Sequence, residues 1–488
     1  MKKILKLTLS VALAFVCIFS FTACKKKVSD TTIDTSKVLS INGVNTNGGM
    51  TVVHDGYLYF INGTKNNDGT SLKNNKLSAI CRVKFDASTN KVDDATYEVV
   101  VDNLVGFKNG SIHFFGDYMY YAAPCSDVNN KASVLYNKTT FMRYDLVNKK
   151  SYEVYTTIKN DAEETISYAY YTVGQDLYLV VYEKSNASIT SLKIDKKVET
   201  AYVISDVTAC ILSENTGKCV TAGASIDANN FVFYTKAHDD VSLDPVQTGN
   251  KVYRTAPSAN TSVEIYKGGE TISILSIRNG SLVYASGTKL YAKKMVGTEA
   301  DCLTLEDSNV IDHKYSSDTS YMFIENADGS ISVLFYDSTA YNLNIITWKD
   351  GKLEPVTIQE FSKDDKFEFI TTAKLTETEE PANEGDDPIK HEVTYLIYIN
   401  NKKLYKIEIA FDGKYSDSVF AEPILLTNSE AVSATGMLVP EVIGDYIYIM
   451  STLDSKTYLH RTNIAIDVNV SELEKDDDKK ATFIGIKE

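Results

Sequence analysis

Short runs of alternating aromatic and aliphatic residues, each preceded by a Gly, Asp or Asn turn, recur along the chain from residue 52 onward. Alternation with a period of two predicts a β-strand with two different faces, and the chain has no long stretch with helical period. The pattern therefore predicts a domain built from strands. Its eight copies are counted from Tyr57, Tyr118, Leu177, Phe231, Leu282, Ile331, Tyr395 and Tyr446.

A second apolar string follows most copies and carries a basic residue. Because successive copies start 49 to 64 residues apart, and β-rich strings lie on both sides, each repeat holds about four strands. Four-stranded units repeated around an axis form a β-propeller. The second strings are Ile80-Cys81-Arg82, Phe141-Met142-Arg143, Val252-Tyr253-Arg254, Leu290-Tyr291 with Lys293, Leu404-Tyr405-Lys406 and Tyr458-Leu459-His460-Arg461.

We therefore predict an all-β fold, a β-propeller of four-stranded antiparallel blades over residues 37–488. Eight copies indicate eight blades, and seven is the alternative because the copy at Ile331 is weak. Two β-sandwiches are a further alternative, which the even spacing disfavours. Propellers often close by pairing a terminal strand with the blade at the other end, and residues 38–41 or 481–486 are suited to this role.

The N-terminus has the pattern of an export signal. Three lysines within residues 2–6 precede an apolar run over residues 7–21, which is shorter than the roughly 20 residues that span a bilayer. The run ends in Phe21-Thr22-Ala23-Cys24, which resembles the bacterial lipobox, where the cysteine is lipidated and becomes N-terminal. Phe21 replaces the usual leucine. An ordinary signal peptide cleaved nearby, or an uncleaved anchor, is the alternative.

The lipobox interpretation divides the chain into three parts. It predicts a signal peptide over residues 1–23, a lipidated Cys24 with a flexible tether over residues 24–36, and the propeller. The protein is then expected on the outer face of the cytoplasmic membrane or on the cell surface, held there by its lipid.

Net charge and cysteine spacing limit the kinds of partner and metal site that the sequence predicts. Removing residues 1–23 leaves 47 Lys and Arg against 65 Asp and Glu, a formal charge of −18, which argues against nucleic acid. The five cysteines beyond Cys17 and Cys24 include no CxxC pair and are expected mainly as small buried residues. A disulfide between Cys210 and Cys219 stays open. We predict no cofactor and a monomer.

Segments such as Gly444-Asp445-Tyr446-Ile447-Tyr448, followed by Leu-Tyr-Arg/Lys strings and preceded by a lipobox, suggest a family. The chain resembles propeller-type lipoproteins of low-GC Gram-positive bacteria, mostly of unknown function, over residues 50–465. The resemblance implies a fold and a location, and it carries no site residues across.

The sequence shows no familiar catalytic motif. It contains no GxSxG elbow, no HExxH pair and no glycine-rich phosphate loop, and its six histidines are scattered. We predict no catalytic and no metal-binding residues. The regular recurrence of tyrosine in the repeats favours packing between blades, and stacking on carbohydrate is the alternative.

Long connections follow the marked strand in copies one, two and four, over residues 61–79, 122–140 and 235–251. Loops of one kind emerge on one face of a propeller, and long loops on a rigid scaffold often carry recognition. The acidic stretch over residues 376–388 is expected as a loop insertion on the opposite face. Candidate recognition residues in the long connections are Asn66, Asp68, Asp127, Asn129, His238, Asp239 and Asp240.

These patterns predict a membrane-anchored extracytoplasmic lipoprotein whose propeller binds or scaffolds at the cell envelope. The expected ligand is an envelope protein, a peptide or a glycan. The alternative function is an extracellular hydrolase or lyase that acts on cell-wall or environmental polysaccharide through an acidic site in the central channel.

Overall fold

A computed structural model shows an all-β chain in which eight antiparallel sheets form the blades of a ring. Residues Leu39–Glu488 make one compact unit. The structure describes residues 45–46, 49–64, 74–105, 111–124, 138–158, 166–195, 197–212, 220–221, 231–240, 247–267, 270–278, 280–295, 300, 302–305, 310–326, 330–348, 356–379, 388–411, 423–427, 440–453, 456–465 and 481–487.

Each of the first four blades contains four consecutive strands, apart from two added strands described below. Blade 1 is β2 (Thr51–His54), β3 (Tyr57–Ile61), β4 (Ile80–Asp86) and β5 (Lys91–Val101). Blade 2 is β6 (Ile112–Phe115), β7 (Tyr118–Pro124), β8 (Thr139–Asp145) and β9 (Lys150–Thr156). Blade 3 is β10 (Ser167–Val173), β11 (Asp176–Glu183), β12 (Ser188–Ile194) and β13 (Val198–Ile204), with a short 3-10 turn at Lys184–Asn186. Blade 4 is β14 (Ala209–Ile211), β16 (Val232–Asp240), β17 (Gln247–Thr255) and β18 (Ser262–Lys267).

The remaining four blades follow the same order. Blade 5 is β19 (Ile272–Arg278), β20 (Ser281–Ser286), β21 (Lys289–Lys294) and β22 (Val310–Lys314). Blade 6 is β23 (Ser320–Glu325), β24 (Ile331–Asp337), β25 (Asn342–Trp348) and β26 (Val356–Glu360). Blade 7 is β27 (Phe367–Glu379), β28 (Ile389–Asn400), β29 (Lys403–Phe411) and β30 (Ile424–Thr427). Blade 8 is β31 (Glu441–Ile443), β32 (Tyr446–Leu453), β33 (Lys456–Asn463) and β34 (Ala481–Ile484). The prediction of eight four-stranded blades is confirmed.

The burial of the strands gives each blade an inner and an outer edge. The first and second strands are largely buried, as in β6, whereas fourth strands such as β5 and β13 alternate with exposed residues. The first strand therefore lies next to the ring axis and the fourth at the rim. We call the face that carries the turns between second and third strands the upper face. Because neighbouring strands are antiparallel, the first-to-second and third-to-fourth turns lie on the lower face.

Two blades carry an additional strand on their inner edge. The strand β1 (Asn45–Thr46) pairs antiparallel with β6, and β15 (Val220–Thr221) pairs parallel with β10. Since β6 and β10 are first strands, both additions lie on the axis side of their blades. The inner edges of blades 2 and 3 are thus covered by backbone from elsewhere in the chain.

The repeated aromatic and basic residues of the sequence meet within each blade. In five blades the cation of the third strand lies over the ring at the counted position of the second strand. Antiparallel pairing places these two residues diagonally opposite each other, within reach of a long side chain. The pairs are Arg82 with Tyr57, Arg143 with Tyr118, Arg254 with Phe231, Lys406 with Tyr395 and Arg461 with Tyr446.

Three of these cations also contact the following blade. Arg143 donates to the Asp195 carbonyl oxygen at 2.9 Å, and Lys406 donates to that of Ile464 at 2.9 Å. Arg461 of blade 8 does the same to Asn90 of blade 1. Each acceptor follows the third strand of its own blade, on the lower face. The repeat therefore encodes a contact between consecutive blades, which supports the packing interpretation of the tyrosines.

Within the described part of the chain, blades 8 and 1 meet without an exchanged strand. Residues 481–484 form the outer strand of blade 8 itself, and residues 38–41 lie outside the described part of the chain. Closure depends instead on Asn62, which is fully buried. Its amide donates to the Ile486 carbonyl oxygen at 2.8 Å and accepts from the Ile486 N–H at 3.2 Å. A backbone bridge joins Thr64 to Thr457 beside it.

Further features bear on the sequence predictions. Cys81 and Cys210 are free thiols, and burial raises the pKa of the Cys81 thiol to about 12. Cys210 is therefore not in a disulfide here. Among the residues that the structure describes, no helix is long and apolar enough to cross a membrane. The signal peptide, Cys24 and the tether lie outside the described residues.

Candidate functional site

The structure describes only three of the seven predicted recognition residues. Asn66, Asp68, Asp127 and Asn129 lie outside the described residues. The connections that contain them join second to third strands in blades 1 and 2, after Ile61 and after Pro124. By the strand order, the second strands of both blades end on the upper face.

The prediction of a long loop over residues 235–251 is wrong. Residues 236–240 and 247–251 extend the hairpin of β16 and β17, with His238 paired to Gly249 and Asp239 to Thr248. Asp240 pairs with Gln247, so only residues 241–246 connect the strands. The strands continue because residues 232–235 and 251–255 form a regular ladder, and the polar residues that follow extend the same pairing.

The acidic stretch is shorter than predicted. Residues 376–379 belong to β27 and pair with residues 389–392 of β28, so the connection begins at residue 380. Residues 380–387 lie outside the described part of the chain. This connection joins a first strand to a second strand, which puts it on the lower face, opposite the long connections.

An aromatic cluster lies between blades 6 and 7 at the upper face. Phe367, at the start of β27, is its centre, stacked on Tyr336 of blade 6 with ring centroids 4.8 Å apart. Phe361 and Tyr398 lie 5.3 and 5.2 Å from the same ring. Tyr405 stacks on Tyr398 at 5.5 Å. All except Tyr398 are only half-buried, so this cluster reaches the surface.

The carboxylate of Asp365 is close enough to two tyrosines of this cluster for its charge to act on their hydroxyls. The pKa of Tyr405 is raised by burial and by the nearby charge of Asp365. Burial and Asp365 also raise the pKa of Tyr336, with Tyr341 and Asp337 contributing. Asp365 accepts hydrogen bonds from the Ser362 N–H at 2.7 Å and from the Asn401 side-chain amide at 2.6 Å. The carboxylate is thus held in place beside the rings.

Tyr341 extends the cluster outward. It lies in the turn between β24 and β25, with a φ of 56° that non-glycine residues rarely adopt. Its carbonyl oxygen accepts a hydrogen bond from the Phe361 N–H at 2.7 Å, which fixes the turn against the cluster. Its side chain is 36% exposed, and it is the one aromatic among the exposed large hydrophobics of the described residues. We define the upper aromatic site as Tyr336, Tyr341, Phe361, Asp365, Phe367, Tyr398, Asn401 and Tyr405.

The histidines contribute to packing. His113 is buried between blades 2 and 3, where its Nε2 lies 2.8 Å from Ser111 Oγ, and Ser111 also contacts the Tyr168 hydroxyl. Burial lowers the pKa of His113 to about 3 and raises that of Tyr168 to about 12. This trio resembles a nucleophile and base in its atoms, but its serine and histidine are closed off from solvent. Among the described residues, no three His, Cys, Asp or Glu side chains gather as a metal site.

A second feature of the upper face is the carboxyl group of Glu441, whose pKa is strongly raised. Glu441 begins the inner strand of blade 8 at the upper face, and its carboxyl group fills the space beside Gly49 of the neighbouring blade. Burial raises its pKa to about 8. At neutral pH this group is therefore largely protonated, which is the form required of a general acid.

The sequence reasoning missed the upper aromatic site. Its residues come from blade 6, whose repeat is weak in sequence, from the connection that follows it, and from blade 7, and only the ring brings them together. A usable signal was the density of aromatic residues in Phe361-Ser-Lys-Asp-Asp-Lys-Phe367, with Phe369 two residues later. These residues fall between two marked strands, in a stretch for which the repeat pattern makes no prediction.

Comparisons with known proteins give no family. No family profile matches the sequence, and no curated protein is detectably similar to it. Among solved structures, the β-propeller domain of the trilobed protease from Pyrococcus furiosus is similar at 9% identity and a TM-score of 0.34, covering 77% of this chain and 99% of that one. The WD40 domain of SCAP from fission yeast is similar at 9% identity and a TM-score of 0.39, covering 88% and 96%.

A third similar structure is the dihydro-heme d1 dehydrogenase NirN, at 10% identity and a TM-score of 0.40, covering 91% of this chain and 73% of that one. At such identities the likeness concerns the fold alone. No site residue is transferred from these proteins, and the upper aromatic site rests on its own geometry.

Proposed function

We propose that this protein is a lipid-anchored extracytoplasmic binding protein that presents the upper face of its propeller to a ligand at the cell envelope. The observation that carries the proposal is the upper aromatic site, where half-buried rings, the exposed Tyr341 and a hydrogen-bonded carboxylate occur together at the surface. Aromatic side chains with a polar tip are enriched at binding surfaces because one group supplies apolar area and hydrogen bonds together. The same face carries the long connections of blades 1 and 2.

The sequence around Cys24 supports the anchor. A basic start, a short apolar run and the Phe-Thr-Ala-Cys segment fit export followed by lipidation at Cys24. Each buried methylene of the acyl chains then contributes about 0.8 kcal/mol of membrane affinity. Lys25, Lys26 and Lys27 follow directly, and each adds roughly 1 kcal/mol of attraction near an anionic surface. The proposed location is the outer face of the cytoplasmic membrane or the cell surface.

Labelling with a clickable fatty acid tests the anchor. We expect label in the wild-type protein and none in the Cys24→Ala variant. Cys302→Ala serves as the matched control, because it removes a cysteine from the propeller and leaves the export signal intact. Equal labelling of wild type and Cys24→Ala would show that the anchor proposal is wrong.

Capture from solubilised envelope extracts tests the binding role. The immobilised protein is expected to retain specific components, and Tyr341→Gly is expected to reduce their recovery. Glycine suits the left-handed backbone at this position, so the variant removes the ring without disturbing the turn. Ile389→Ala is the control, because Ile389 is 54% exposed on the lower face of blade 7. Equal recovery by wild type and Tyr341→Gly would contradict a binding role for this site.

A second candidate function is an extracellular hydrolase or lyase, and Glu441 is the observation that favours it. A carboxyl group with a pKa near 8 on an inner strand has the protonation state of a general acid. Incubation with a panel of cell-wall and environmental polysaccharides tests this alternative. Cleavage that disappears in Glu441→Gln would support an enzyme, and the absence of any cleavage would exclude it for that panel.

A further inference from the structure

We infer that the upper aromatic site binds a neutral pyranose glycan, with Tyr341 and Tyr336 stacking on sugar faces and Asp365 with Asn401 recognising hydroxyl groups. The inference rests on the proposed binding function and names the ligand class of that site. It commits to a saccharide rather than a protein because of the way rings and polar groups alternate there.

The rings pack against one another at the surface. Tyr336 and Phe367 stack with an interplanar angle of 20°, and Phe361 meets Tyr336 edge-on at 79°. Tyr341, in the adjoining turn, is the most exposed of these rings. A pyranose has two flat faces of C–H groups and a rim of hydroxyls, so half-exposed rings of this kind match its faces. A protein partner instead favours a contiguous apolar patch with a fully buried centre.

Polar groups that can bind the hydroxyls of a stacked sugar adjoin the rings. Each carboxylate oxygen of Asp365 has one internal donor, Ser362 N–H on one and the Asn401 amide on the other. A carboxylate oxygen has more than one lone-pair direction, so both retain the capacity to accept from a ligand hydroxyl. The Tyr336 and Tyr405 hydroxyls, which sense the Asp365 charge, supply further donors.

The local charge selects a neutral saccharide. The charges of Asp337 and Asp365 both act on the Tyr336 hydroxyl, so an acidic sugar stacked there would add a third carboxylate to the negative charge around this ring. Lys363 and Lys366 in the same connection are exposed, so solvent screens their charges. Like charges at short range are destabilising, and we therefore expect uronic acids to be rejected.

The backbone of Tyr341 supports a role beyond packing. A bulky residue with φ of 56° sits where Gly or Asn would avoid steric cost, and residues held in such conformations are concentrated at ligand sites. The turn in blade 7 is comparable, since Asn401 and Lys402 have φ values of 50° and 64°. Both turns border the same aromatic cluster, from opposite sides.

Isothermal titration of the full-length protein in detergent tests the inference. The ligands are a tetrasaccharide of β-1,4-linked N-acetylglucosamine, cellotetraose and tetragalacturonate. We expect binding of at least one neutral tetrasaccharide and none of tetragalacturonate. Tyr341→Gly and Tyr336→Ala should each weaken binding by about tenfold, as expected for a stacked ring. The lower-face control Ile389→Ala should retain wild-type affinity, and Tyr341→Phe, which keeps the ring, should weaken binding less than Tyr341→Gly.

Three results would overturn the inference. These are preferential binding of the acidic tetrasaccharide, equal affinity of both ring-deletion variants and wild type, and no binding of any of the three ligands. The envelope capture experiment separates this failure from that of the proposed function. If Tyr341→Gly loses capture of an envelope protein while no saccharide binds, the site is a protein-binding site and only the glycan assignment is wrong.

Discussion

The Arg461 guanidinium donates a hydrogen bond of 2.8 Å to the Asn90 carbonyl oxygen, and so connects the last blade of the ring to the first. The same cation lies 4.6 Å from the centroid of the Tyr446 ring within its own blade. A residue that the sequence marks as part of a repeat is therefore also part of the ring closure.

Replacing Arg461 with Met should destabilise the fold by about 1 to 3 kcal/mol. The variant keeps most of the aliphatic volume but loses a charge-assisted hydrogen bond and a cation–π contact. Urea unfolding measures the loss, and Lys294→Met, at an exposed position of β21, is the control. A variant as stable as the wild type would show that this contact contributes nothing to closure.

Asn62→Ala should be more damaging. Asn62 also donates to the Lys76 carbonyl oxygen at 2.9 Å, so the substitution leaves three backbone groups without their buried partner. Each unsatisfied group costs about 1 to 3 kcal/mol. We expect a drop of several degrees in Tm by calorimetry, whereas Asn148→Ala, at an exposed turn of blade 2, should change Tm little. Similar Tm values for the two variants would contradict the role of Asn62.

Two glycines separate backbone strain from steric fit at the closure. Gly63 and Gly56 have φ values of 77° and 72°, so alanine at either position costs about 1 to 2 kcal/mol. A methyl group at Gly56 meets nothing within 4 Å, whereas at Gly63 it would overlap the Thr457 carbonyl oxygen. Gly63→Ala should therefore lose at least about 2 kcal/mol more than Gly56→Ala in urea unfolding. Equal losses would mean that blades 8 and 1 are not in contact there.

Glu441 should make the stability of the protein depend on pH. Burial raises its folded pKa to about 8 from 4.5, so the folded state holds this proton more tightly than the unfolded state. Its contribution is full below pH 4.5 and is lost as pH rises through 8, by at most about 5 kcal/mol. The stability difference between Glu441→Gln and wild type should therefore shift in favour of the variant between pH 5 and 8.5. A constant difference would contradict the raised pKa.

The sequence predicted the fold well because its information is local. The counted positions lie in the second strands, with Phe231 one residue ahead of β16, and the basic residues lie in the third strands. Even the weak copy at Ile331 is the start of β24. Period-two alternation depends only on neighbouring residues, so no knowledge of the ring was required.

The upper aromatic site was beyond such reasoning because it depends on contacts between blades. Tyr336 and Phe367 are in separate sheets, and no periodicity relates them. The predicted loop around His238 is wrong for a different reason. In a sequence, polar residues that extend a β-ladder look the same as polar residues of a loop. The candidate residues in blades 1 and 2 stay predictions.

Closure through Asn62 and Ile486 has a consequence for how the chain is made. These residues are 424 positions apart, so blade 1 is made long before the segment that completes its contact with blade 8. Seven blades can stack as they are made, each on its predecessor, but blade 1 keeps an uncovered side until blade 8 and Ile486 arrive. The last step of ring assembly is therefore a long-range docking event, and an intermediate stalled before it would present that uncovered side to chaperones and proteases.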